Sequence, residues 1–465
     1  MKLPLQLSER RALLIFVDFA MASFAVLFAL WVWALRAGRP FTWAYIISQV
    51  EWLLFLPVLW LLLAALNDFY NLRLASRLGS NGVALLRITA LLLLIYLVIY
   101  FFSPPRSLPR GIVLYHAVSS FVLVGLWRAA YALLLGQPIF QRRATVVGAG
   151  WAGRTIVQAI RESLASGYQL VGYIDDDPAK QGQTIEGVPV IGTRHDLVPL
   201  AKAERISEVI LAITHNVHRE LLQALMGCQE LGVRITLMPL LYEEITGKVP
   251  VEHIGDSWPV ALPMDHASTG SFFSVFKRAV DVIISLIGLA ILAILFPFVA
   301  LAIYVDSPGP IFYIQERVGK GGRTFRAFKF RSMILGAEES GKAIWAGERD
   351  ARVTRVGRFL RATHIDELPQ FINIFRGEMS VVGPRPERPE FVAELEKRIP
   401  FYRLRHAVRP GMAGWALVQY GYGSSVEDAL VKLQYDLYYI KHQSIYLDFL
   451  ILLKTIGGML SFRGR

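Results

Sequence analysis

Long apolar runs separated by short polar loops fill the first 140 residues of the chain. Four of these runs lie at residues 13–35, 52–66, 85–102 and 112–135. A helix needs roughly 20 apolar residues to cross a bilayer, so each run predicts a transmembrane helix. The second run is the shortest and contains Pro57. The pattern therefore predicts a four-helix transmembrane bundle over residues 1–140.

The pattern changes at residue 141, where short apolar runs begin to alternate with amphipathic segments. The stretch ATVVGAGWAGRTIVQAI indicates a strand, a glycine turn and a helix, and further strand-like runs follow. Alternating strands and helices are typical of a parallel α/β fold. We predict a Rossmann-like domain over residues 141–241. A linker rich in Pro, Gly and His then covers residues 242–271.

The glycine turn resembles a dinucleotide-binding fingerprint, with Gly148, Gly150 and Gly153 in the turn and Asp175 at the end of the next strand. A tight glycine turn also serves simply to pack a helix on a strand. No Tyr in the chain is followed four residues later by Lys, the pair expected in short-chain dehydrogenases and epimerases. We therefore expect this domain to bind a nucleotide or to act as a scaffold rather than to catalyse a reaction.

A fifth apolar run, residues 279–305, has basic residues on both sides and Pro297 inside it. Those that precede it are Lys277 and Arg278, and those that follow are Arg317, Lys320, Arg323, Arg326, Lys329 and Arg331. A simple span would place one basic group outside the membrane, against the positive-inside tendency, and proline bends or breaks a helix. We predict a re-entrant helix over residues 277–305, broken at Pro297. The alternative is a plain fifth span with an outward carboxyl-terminal part.

Composition and charge agree with a membrane protein. The hydrophobic share is 54%, the mean hydropathy is +0.43, and the formal net charge is +12. The basic residues of the first loops fall into two groups: Lys2, Arg10, Arg11, Arg73, Arg77, Arg142 and Arg143 on one side, and Arg36, Arg39, Arg106 and Arg110 on the other. The larger group predicts a cytoplasmic amino terminus and a cytoplasmic chain after residue 142. Cys228 is the single cysteine, so disulfides within the chain and thiolate zinc sites are excluded.

The candidate chemistry lies in the mixed, charged part after residue 307. Asp366 and Glu367 are adjacent. Three arginines spaced three residues apart precede them, and on a helix these would share one face and converge on an anion; they are Arg355, Arg358 and Arg361. This combination suits phosphoryl transfer, in which one carboxylate attacks phosphorus and the other holds Mg²⁺. Pro369 should end or kink the helix just after the pair. The alternative is a solvated network of ion pairs.

Further basic residues favour a phosphate site. Lys329 and Arg331 lie in FKFRSM, and Arg385 follows Pro384 in VVGPRPER. A proline-stiffened loop suits a guanidinium that binds phosphate. For three other basic residues we prefer contact with lipid headgroups instead; they are Arg317, Lys320 and Arg323. We interpret His364 as structural.

The ordered motifs resemble one family. KRAVDVIISLIG, SPGPIFYIQERVG, FKFRSM, IDELPQ, MSVVGPRPE, RPGMAGWA and DLYYIKHQSIYLDFLILLKT occur in this order over about residues 276–454. They are similar to the bacterial sugar transferase family, the monotopic phosphoglycosyl transferases that act on polyprenyl phosphate. The bundle and the Rossmann-like domain resemble the large members, which start exopolysaccharide, capsule or O-antigen repeat units.

The resemblance implies a reaction and roles for residues. Asp366 would attack the β-phosphate of a UDP-sugar, UMP would leave, and the covalent phosphosugar would pass to undecaprenyl phosphate. Glu367 would bind Mg²⁺, and Lys329, Arg361 and Arg385 would hold phosphates. The chain has His364 and Ile365 where the family often has Ser and Leu, and AGWALVQ where a TG-x-AQ pattern is common. These departures affect local hydrogen bonds and the sugar pocket.

The predicted fold class is thus a membrane helical bundle, a Rossmann-like α/β domain and a mixed α/β monotopic catalytic domain over residues 272–465. We expect a homodimer in the bacterial inner membrane, with the catalytic part facing the cytoplasm. The expected partners are a UDP-sugar such as UDP-glucose or UDP-galactose, undecaprenyl phosphate and membrane lipids, and no nucleic acid. Two alternatives remain: a membrane-bound sugar-nucleotide dehydratase or epimerase, and a nucleotide-sensing scaffold.

Overall fold

The computed structural model describes most of the chain. The described residues are 7–67, 69–70, 75, 78–102, 110–135, 142–163, 167–213, 218–251, 271–337, 350–421, 423 and 425–460. Outside them lie Lys2, Arg73, Arg77 and Arg106 of the charge pattern and residues 252–270 of the predicted linker. The chain forms two compact units, Met1–Thr246 and Gly247–Arg465.

Four long apolar helices begin the first unit. They are α1 (Leu7–Arg36), α3 (Val50–Leu66), α4 (Leu78–Phe102) and α5 (Arg110–Leu135), and a short helix α2 (Trp43–Ile47) lies in the first loop. α1 packs on α3 and α5, and α4 packs on the same two helices, so the four close into a bundle. The four predicted helices and their packing as a bundle are confirmed, and their crossing of a membrane stays a prediction. α3 is the shortest at 17 residues, about 25 Å, because it coincides with the shortest apolar run.

Most side chains of the bundle are apolar inside and outside, and a charged pair in its core is a clear exception. Its outward side chains include Phe16 and Leu94, which are 72% and 58% exposed. Apolar surfaces of this kind suit contact with lipid rather than water. The exception is an ion pair between Asp18 on α1 and Arg128 on α5, with 2.5 Å between Oδ2 and Nη2, and both side chains are buried.

A six-stranded sheet follows the bundle in the first unit. Its strands are β1 (Arg142–Val147), β2 (Tyr168–Ile174), β3 (Thr184–Ile185), β4 (Val188–Gly192), β5 (Glu208–Leu211) and β6 (Arg234–Leu237). Their order is β3-β4-β2-β1-β5-β6, and every pairing is parallel except that of β3 with β4. The first strand is central and the order reverses beside it, as in dinucleotide-binding folds.

Helices cover both faces of this sheet. The four helices are α6 (Trp151–Glu162), α7 (Leu197–Ala203), α8 (Arg219–Glu230) and α9 (Met238–Thr246). Buried side chains of α6 and α9 form one core with the sheet, and those of α7 and α8 form a second core on the other face. The sequence prediction of a mainly parallel sheet that alternates with helices is confirmed.

The second unit contains the fifth apolar run and, after it, a mixed α/β structure. Its elements are α10 (Ser271–Asp306), β7 (Phe312–Val318), β8 (Thr324–Phe330), α11 (Arg355–Ala362), α12 (Phe371–Arg376), β9 (Ser380–Val382), α13 (Pro389–Arg398), β10 (Gly411–Ala413), α14 (Trp415–Gln419), α15 (Val426–Lys441) and α16 (Ile445–Leu460). β7 and β8 form an antiparallel hairpin, and β9 pairs with β10 in parallel. Three 3₁₀ helices join these elements in the described part of the unit: Lys320–Gly322, Ile365–Gln370 and Tyr402–Ala407.

The first part of the predicted linker, residues 242–251, is structured. Its first residues belong to α9, where Tyr242 and Ile245 pack against the core of the sheet. Val249 and Val251 are buried in the core of the second unit, together with side chains of α13, α15 and α16. The linker prediction was therefore too long at its start, because a few apolar side chains among Pro and Gly are enough to anchor a segment.

The helix α10 is continuous through Pro297 over its 36 residues. The helical run thus has no break at Pro297, although the proline removes one backbone hydrogen bond from it. The re-entrant path stays a prediction.

Candidate active site

The two carboxylates lie on the 3₁₀ helix Ile365–Gln370, three residues after α11 ends. Thr354 caps α11 by accepting a hydrogen bond from the amide of Gly357 at 2.9 Å. His364 then adopts a left-handed conformation, with φ of 58°, and turns the chain into the 3₁₀ helix. Pro369 lies inside that helix and does not end it, contrary to the expectation from the sequence. Ile365 and Leu368 anchor the opposite face against apolar side chains of α10.

Glu367 is held by two cations. Its Oε1 lies 2.8 Å from Nζ of Lys329 and 2.5 Å from Nη2 of Arg385, and its Oε2 lies 3.3 Å from Nη1 of Arg385. The Glu367 side chain is only 7% exposed. Arg385 and Lys329 hold the pKa of Glu367 well below its usual value despite burial. Glu367 is therefore a fixed anion at neutral pH.

Asp366 has different surroundings, although it is equally buried. Within the described part of the chain no hydrogen bond reaches its carboxylate. Burial and the adjacent charge of Glu367 raise the pKa of Asp366 to about 6, against the attraction of Lys329, Arg361 and Arg385. A carboxylate that is ionised at neutral pH and has no hydrogen-bond donor of its own keeps its lone pairs available for a reaction.

A small basic pocket adjoins the two carboxylates. Its lining consists of Arg317, Ala327, Lys329, Gln370, Arg385 and Pro386. Burial, opposed by Glu367, lowers the pKa of Lys329, and burial likewise lowers the pKa of Arg317. Cations that lose hydration gain most from a bound anion, so the pocket suits a phosphate group.

Arg317 was assigned wrongly from the sequence. Its side chain is 19% exposed and donates to the carbonyl of Pro386 at 3.1 Å, so it lines the pocket instead of lying on a lipid-facing surface. Lys320 and Arg323 are exposed at the turn of the β7–β8 hairpin, where a contact with headgroups remains open to them. Arg317 has different surroundings from Lys320 and Arg323 because it lies within β7, whereas the other two lie in the turn.

The three spaced arginines do not converge. Arg361 is half-buried, donates from Nε to Ser332 Oγ at 2.9 Å and acts on the charge of Asp366. Arg355 and Arg358 are exposed. Three residues turn a helix by about 300°, so each successive arginine is displaced by about 60° and only one faces the dyad. Arg358 is therefore not brought to the site.

Arg331 is also directed away from the dyad. Its guanidinium donates to the carbonyls of Ser307 and Pro308, the residues that follow α10. It holds the exit of the apolar helix against the end of β8. Of the predicted binding residues, the structure thus brings Lys329, Arg361, Pro384 and Arg385 to the dyad or to its supporting loop.

One turn of α10 supports the site from behind. Asp281 accepts from the hydroxyl of Ser380 and from the amide of Val381, both at 2.9 Å. Lys277 pairs with Asp448 at 2.6 Å and donates to the carbonyl of Val382. Sequence reasoning did not single out Asp281, yet a carboxylate inside an apolar run is a signal that could have identified it.

Arg278 anchors the other side of the site. It donates to the carbonyls of Ile374 and Phe375 at the end of α12, the helix that follows the dyad. The same turn of α10 therefore fixes both the strand that leads to Arg385 and the helix that follows Glu367.

The carboxyl end of α10 also contacts elements of the second unit, namely α11 and β7. Asp306 accepts from the amide of Val356 at the start of α11 at 2.9 Å, and Phe296 stacks on Phe312. The outward face of α10 remains apolar, with Ile294 and Phe298 67% and 70% exposed. Both ends of this helix thus belong to one folded unit, while its outer face suits lipid.

The dyad fits Mg²⁺ in a limited way. Lone pairs remain on Asp366 and on Oε2 of Glu367, since Oε1 already accepts from two cations. No group of three or more His, Cys, Asp or Glu side chains capable of holding a metal occurs in the described ranges. This matches Mg²⁺ held by one or two carboxylates together with phosphate oxygens and water, and it does not match a site made by protein ligands alone.

The glycine turn in the Rossmann-like domain brings its predicted residues together. Gly148 has φ of 103°, and a Cβ on Gly153 would lie 1.9 Å from the Gly148 carbonyl oxygen, so the packing of α6 on β1 requires glycine at 153. Asp175 accepts from the amide of Ala149 at 2.7 Å and pairs with Lys180 at 3.1 Å. These contacts give the turn a structural role.

Two family models match parts of the chain. A family model described as bacterial sugar transferase matches residues 272–462, and one described as CoA-binding domain matches residues 65–239.

Three relatives are informative. The UDP-glucose:undecaprenyl-phosphate glucose-1-phosphate transferase of Xanthomonas campestris pv. campestris is 33% identical over 71% of this chain and 72% of its own length. The UDP-N-acetylgalactosamine-undecaprenyl-phosphate N-acetylgalactosaminephosphotransferase of Aeromonas hydrophila is 42% identical over 47% of this chain, and the match spans 50% of that relative. An exopolysaccharide production protein PSS of Rhizobium leguminosarum bv. phaseoli is 40% identical over 41% of this chain and 98% of its own length.

Proposed function

Because the chain belongs to the bacterial sugar transferase family, we propose that it transfers a hexose 1-phosphate from a UDP-sugar to undecaprenyl phosphate and releases UMP. The observation that carries this proposal is the contrast within the dyad. Glu367 is fixed by Lys329 and Arg385, whereas the Asp366 carboxylate has no hydrogen bond among the described residues.

The chemistry is two displacements at one phosphorus atom. An oxygen of Asp366 attacks the β-phosphorus of the UDP-sugar, the bond from this phosphorus to the bridging oxygen breaks, and UMP leaves with the electron pair. An oxygen of undecaprenyl phosphate then attacks the same phosphorus, and the Asp366 carboxylate is released. The product is undecaprenyl diphosphosugar, and no net proton transfer to the protein is required.

The cations of the site hold the negative charge of the reacting phosphates. Lys329, Arg385 and Arg317 line the pocket next to the dyad, and the charge of Arg361 also attracts the Asp366 carboxylate. Charge that develops on the departing phosphate is stabilised most where donors are already oriented and desolvated. When bound by Asp366 or Glu367 and the phosphates, Mg²⁺ would add a further positive charge that screens the attacking carboxylate.

We place the reaction at the cytoplasmic face of the bacterial inner membrane, as the first membrane step of exopolysaccharide, capsule or O-antigen synthesis. A UDP-sugar is soluble and the lipid phosphate lies in the headgroup layer, so the site must lie beside the bilayer. The apolar outer face of α10 and the polar anchoring of both its ends support this placement. The homodimer stays a prediction from the resemblance.

The dehydratase or epimerase alternative gains no support from the described residues. Asp175, the acidic residue of the predicted dinucleotide-binding fingerprint, is already paired with Lys180. The scaffold alternative does not account for the fixed anion and the free carboxylate beside a basic pocket.

The proposal is tested by Asp366→Asn in membranes supplied with UDP-sugars, undecaprenyl phosphate and Mg²⁺. We expect UMP release to be abolished, since an amide cannot act as the nucleophile. Glu394→Gln, which removes an exposed charge on α13, serves as the control and should keep the wild-type rate. Undiminished turnover in the Asp366 variant would exclude the covalent role.

A further inference from the structure

The loop that carries Arg385 is held through its carbonyl groups. Four consecutive carbonyls, those of residues 384–387, each accept a hydrogen bond from outside the loop. The donors are the amide of Gly411 for Pro384, the side chain of Arg405 for Arg385, the side chain of Arg317 for Pro386, and the amide of Val318 for Glu387. Pro384 and Pro386 have no amide hydrogen, so carbonyl contacts are the main means of fixing this backbone.

Arg405 is the donor at the residue that matters most, because Arg385 is the one that reaches Glu367. Nη2 of Arg405 lies 3.0 Å from the carbonyl oxygen of Arg385 and 2.8 Å from Oδ2 of Asp436. Nη1 lies 2.5 Å from the hydroxyl of Tyr402. The guanidinium thus joins the loop to α15 and to Tyr402 of its own 3₁₀ helix.

The ion pair of Arg405 with Asp436 is fully enclosed. The two side chains are 7% and 2% exposed. A buried ion pair contributes little net stability compared with apolar side chains of similar volume, since desolvation of both charges opposes their attraction. At this place the ion pair contributes geometry rather than stability. The planar guanidinium can bind a carboxylate and a carbonyl at once, and so it fixes the position of the loop.

We propose that Arg405, held by Asp436, is a positioning residue for Arg385. By binding the carbonyl of Arg385 from behind, it keeps the guanidinium of Arg385 in contact with Glu367 and in the pocket where the proposed function places a phosphate. Arg405 itself does not line that pocket. The inference rests on the proposed transfer reaction and adds to it a residue that acts only through another.

A double-mutant cycle on the full-length protein in membranes tests this, with the variants Arg405→Lys, Arg385→Ala and their combination. Lysine cannot bind both Asp436 and the carbonyl in the planar geometry of arginine. We expect Arg405→Lys to lower kcat for UMP release by on the order of tenfold to a hundredfold, the effect of a small misplacement, with a smaller change in KM for the UDP-sugar. Arg398→Lys, the same change at an exposed position of α13, should leave the rate unchanged.

The double variant distinguishes a positioning role of Arg405 from a general contribution of Arg405 to the stability of the fold. If Arg405 acts through Arg385, the double variant is no slower than Arg385→Ala. If the two rate losses multiply, the proposal is overturned. Should Arg405→Lys fail to fold, Asp436→Asn takes its place in the cycle with the same two outcomes, because it keeps the guanidinium and removes the charge that holds it. Failure of the transfer reaction itself would show as absence of UMP release by the wild-type protein.

Discussion

Two neighbouring carboxylates of equal burial have opposite surroundings. Glu367 meets Lys329 and Arg385, whereas Asp366 is left without a hydrogen bond among the described residues. A 3₁₀ helix separates adjacent side chains by about 120°, so two successive residues face different neighbours. The 3₁₀ conformation thus gives two similar carboxylates different surroundings: Glu367 is anchored by cations, and Asp366 has no hydrogen bond among the described residues.

Lys329 should contribute to the reaction in two ways, since it binds Glu367 and lines the basic pocket. We predict that Lys329→Met lowers kcat/KM for UMP release by about 100-fold, the usual loss for one preorganised charge-stabilising donor. The matched control is Lys320→Met, at the exposed turn of the same hairpin. It should stay within about twofold of the wild type, because exposed charges contribute little. Equal rates for the two variants would contradict the assignment.

The identity of the dyad could be predicted from the sequence, but the directions of the surrounding side chains could not. The motif order pointed to Asp366, Glu367 and Arg385. Arg331 and Arg317 were each assigned to the wrong surroundings, because their neighbours come from elements distant in the chain. Spacing along a helix predicts a shared face only approximately, and tertiary contacts then select the residue that points inward.

At the scale of elements, the long apolar segments were the easiest to predict. Apolar runs at residues 85–102 and 279–305 correspond to α4 and α10, each of which extends several residues further into polar sequence. Polar residues at helix ends weaken the hydropathy signal without ending the hydrogen bonding. The short strands β9 and β10 gave no comparable signal, since each has three residues and is defined by its partner.

Among the predictions about single elements, the re-entrant path of α10 has the most consequence. Cysteine labelling tests this path. In a background with Cys228→Ala, we predict that neither Val275→Cys nor Lys320→Cys reacts with a membrane-impermeant maleimide in spheroplasts. Both residues are exposed, and a re-entrant path keeps both on the cytoplasmic side.

The positive control is Arg39→Cys, in the exposed loop between α1 and α2, which the charge pattern places outside. It should react from the same side. Labelling of either Val275→Cys or Lys320→Cys in spheroplasts would show that α10 is a plain span.

At the scale of the whole molecule, every residue of the candidate site belongs to the unit Gly247–Arg465. The sugar transferase model matches residues within this unit, and one relative corresponds over 98% of its own length to a single stretch of this chain. The apolar helices of the bundle and the alternating strands and helices of the sheet could be predicted, because each has its own hydrophobic period. The extent of the linker could not, since isolated apolar residues such as Val249 and Val251 carry no periodicity.

The central claim is that Asp366 becomes covalently attached to the phosphosugar. The most direct measurement is the intact mass of the full-length protein after incubation with UDP-sugar and Mg²⁺ without undecaprenyl phosphate, followed by peptide mapping. We predict a hexose phosphate adduct on the peptide that contains Asp366, formed with at most one UMP per chain and absent in Asp366→Asn. UMP release that occurs only when undecaprenyl phosphate is added, with no adduct at any time, would contradict the covalent mechanism.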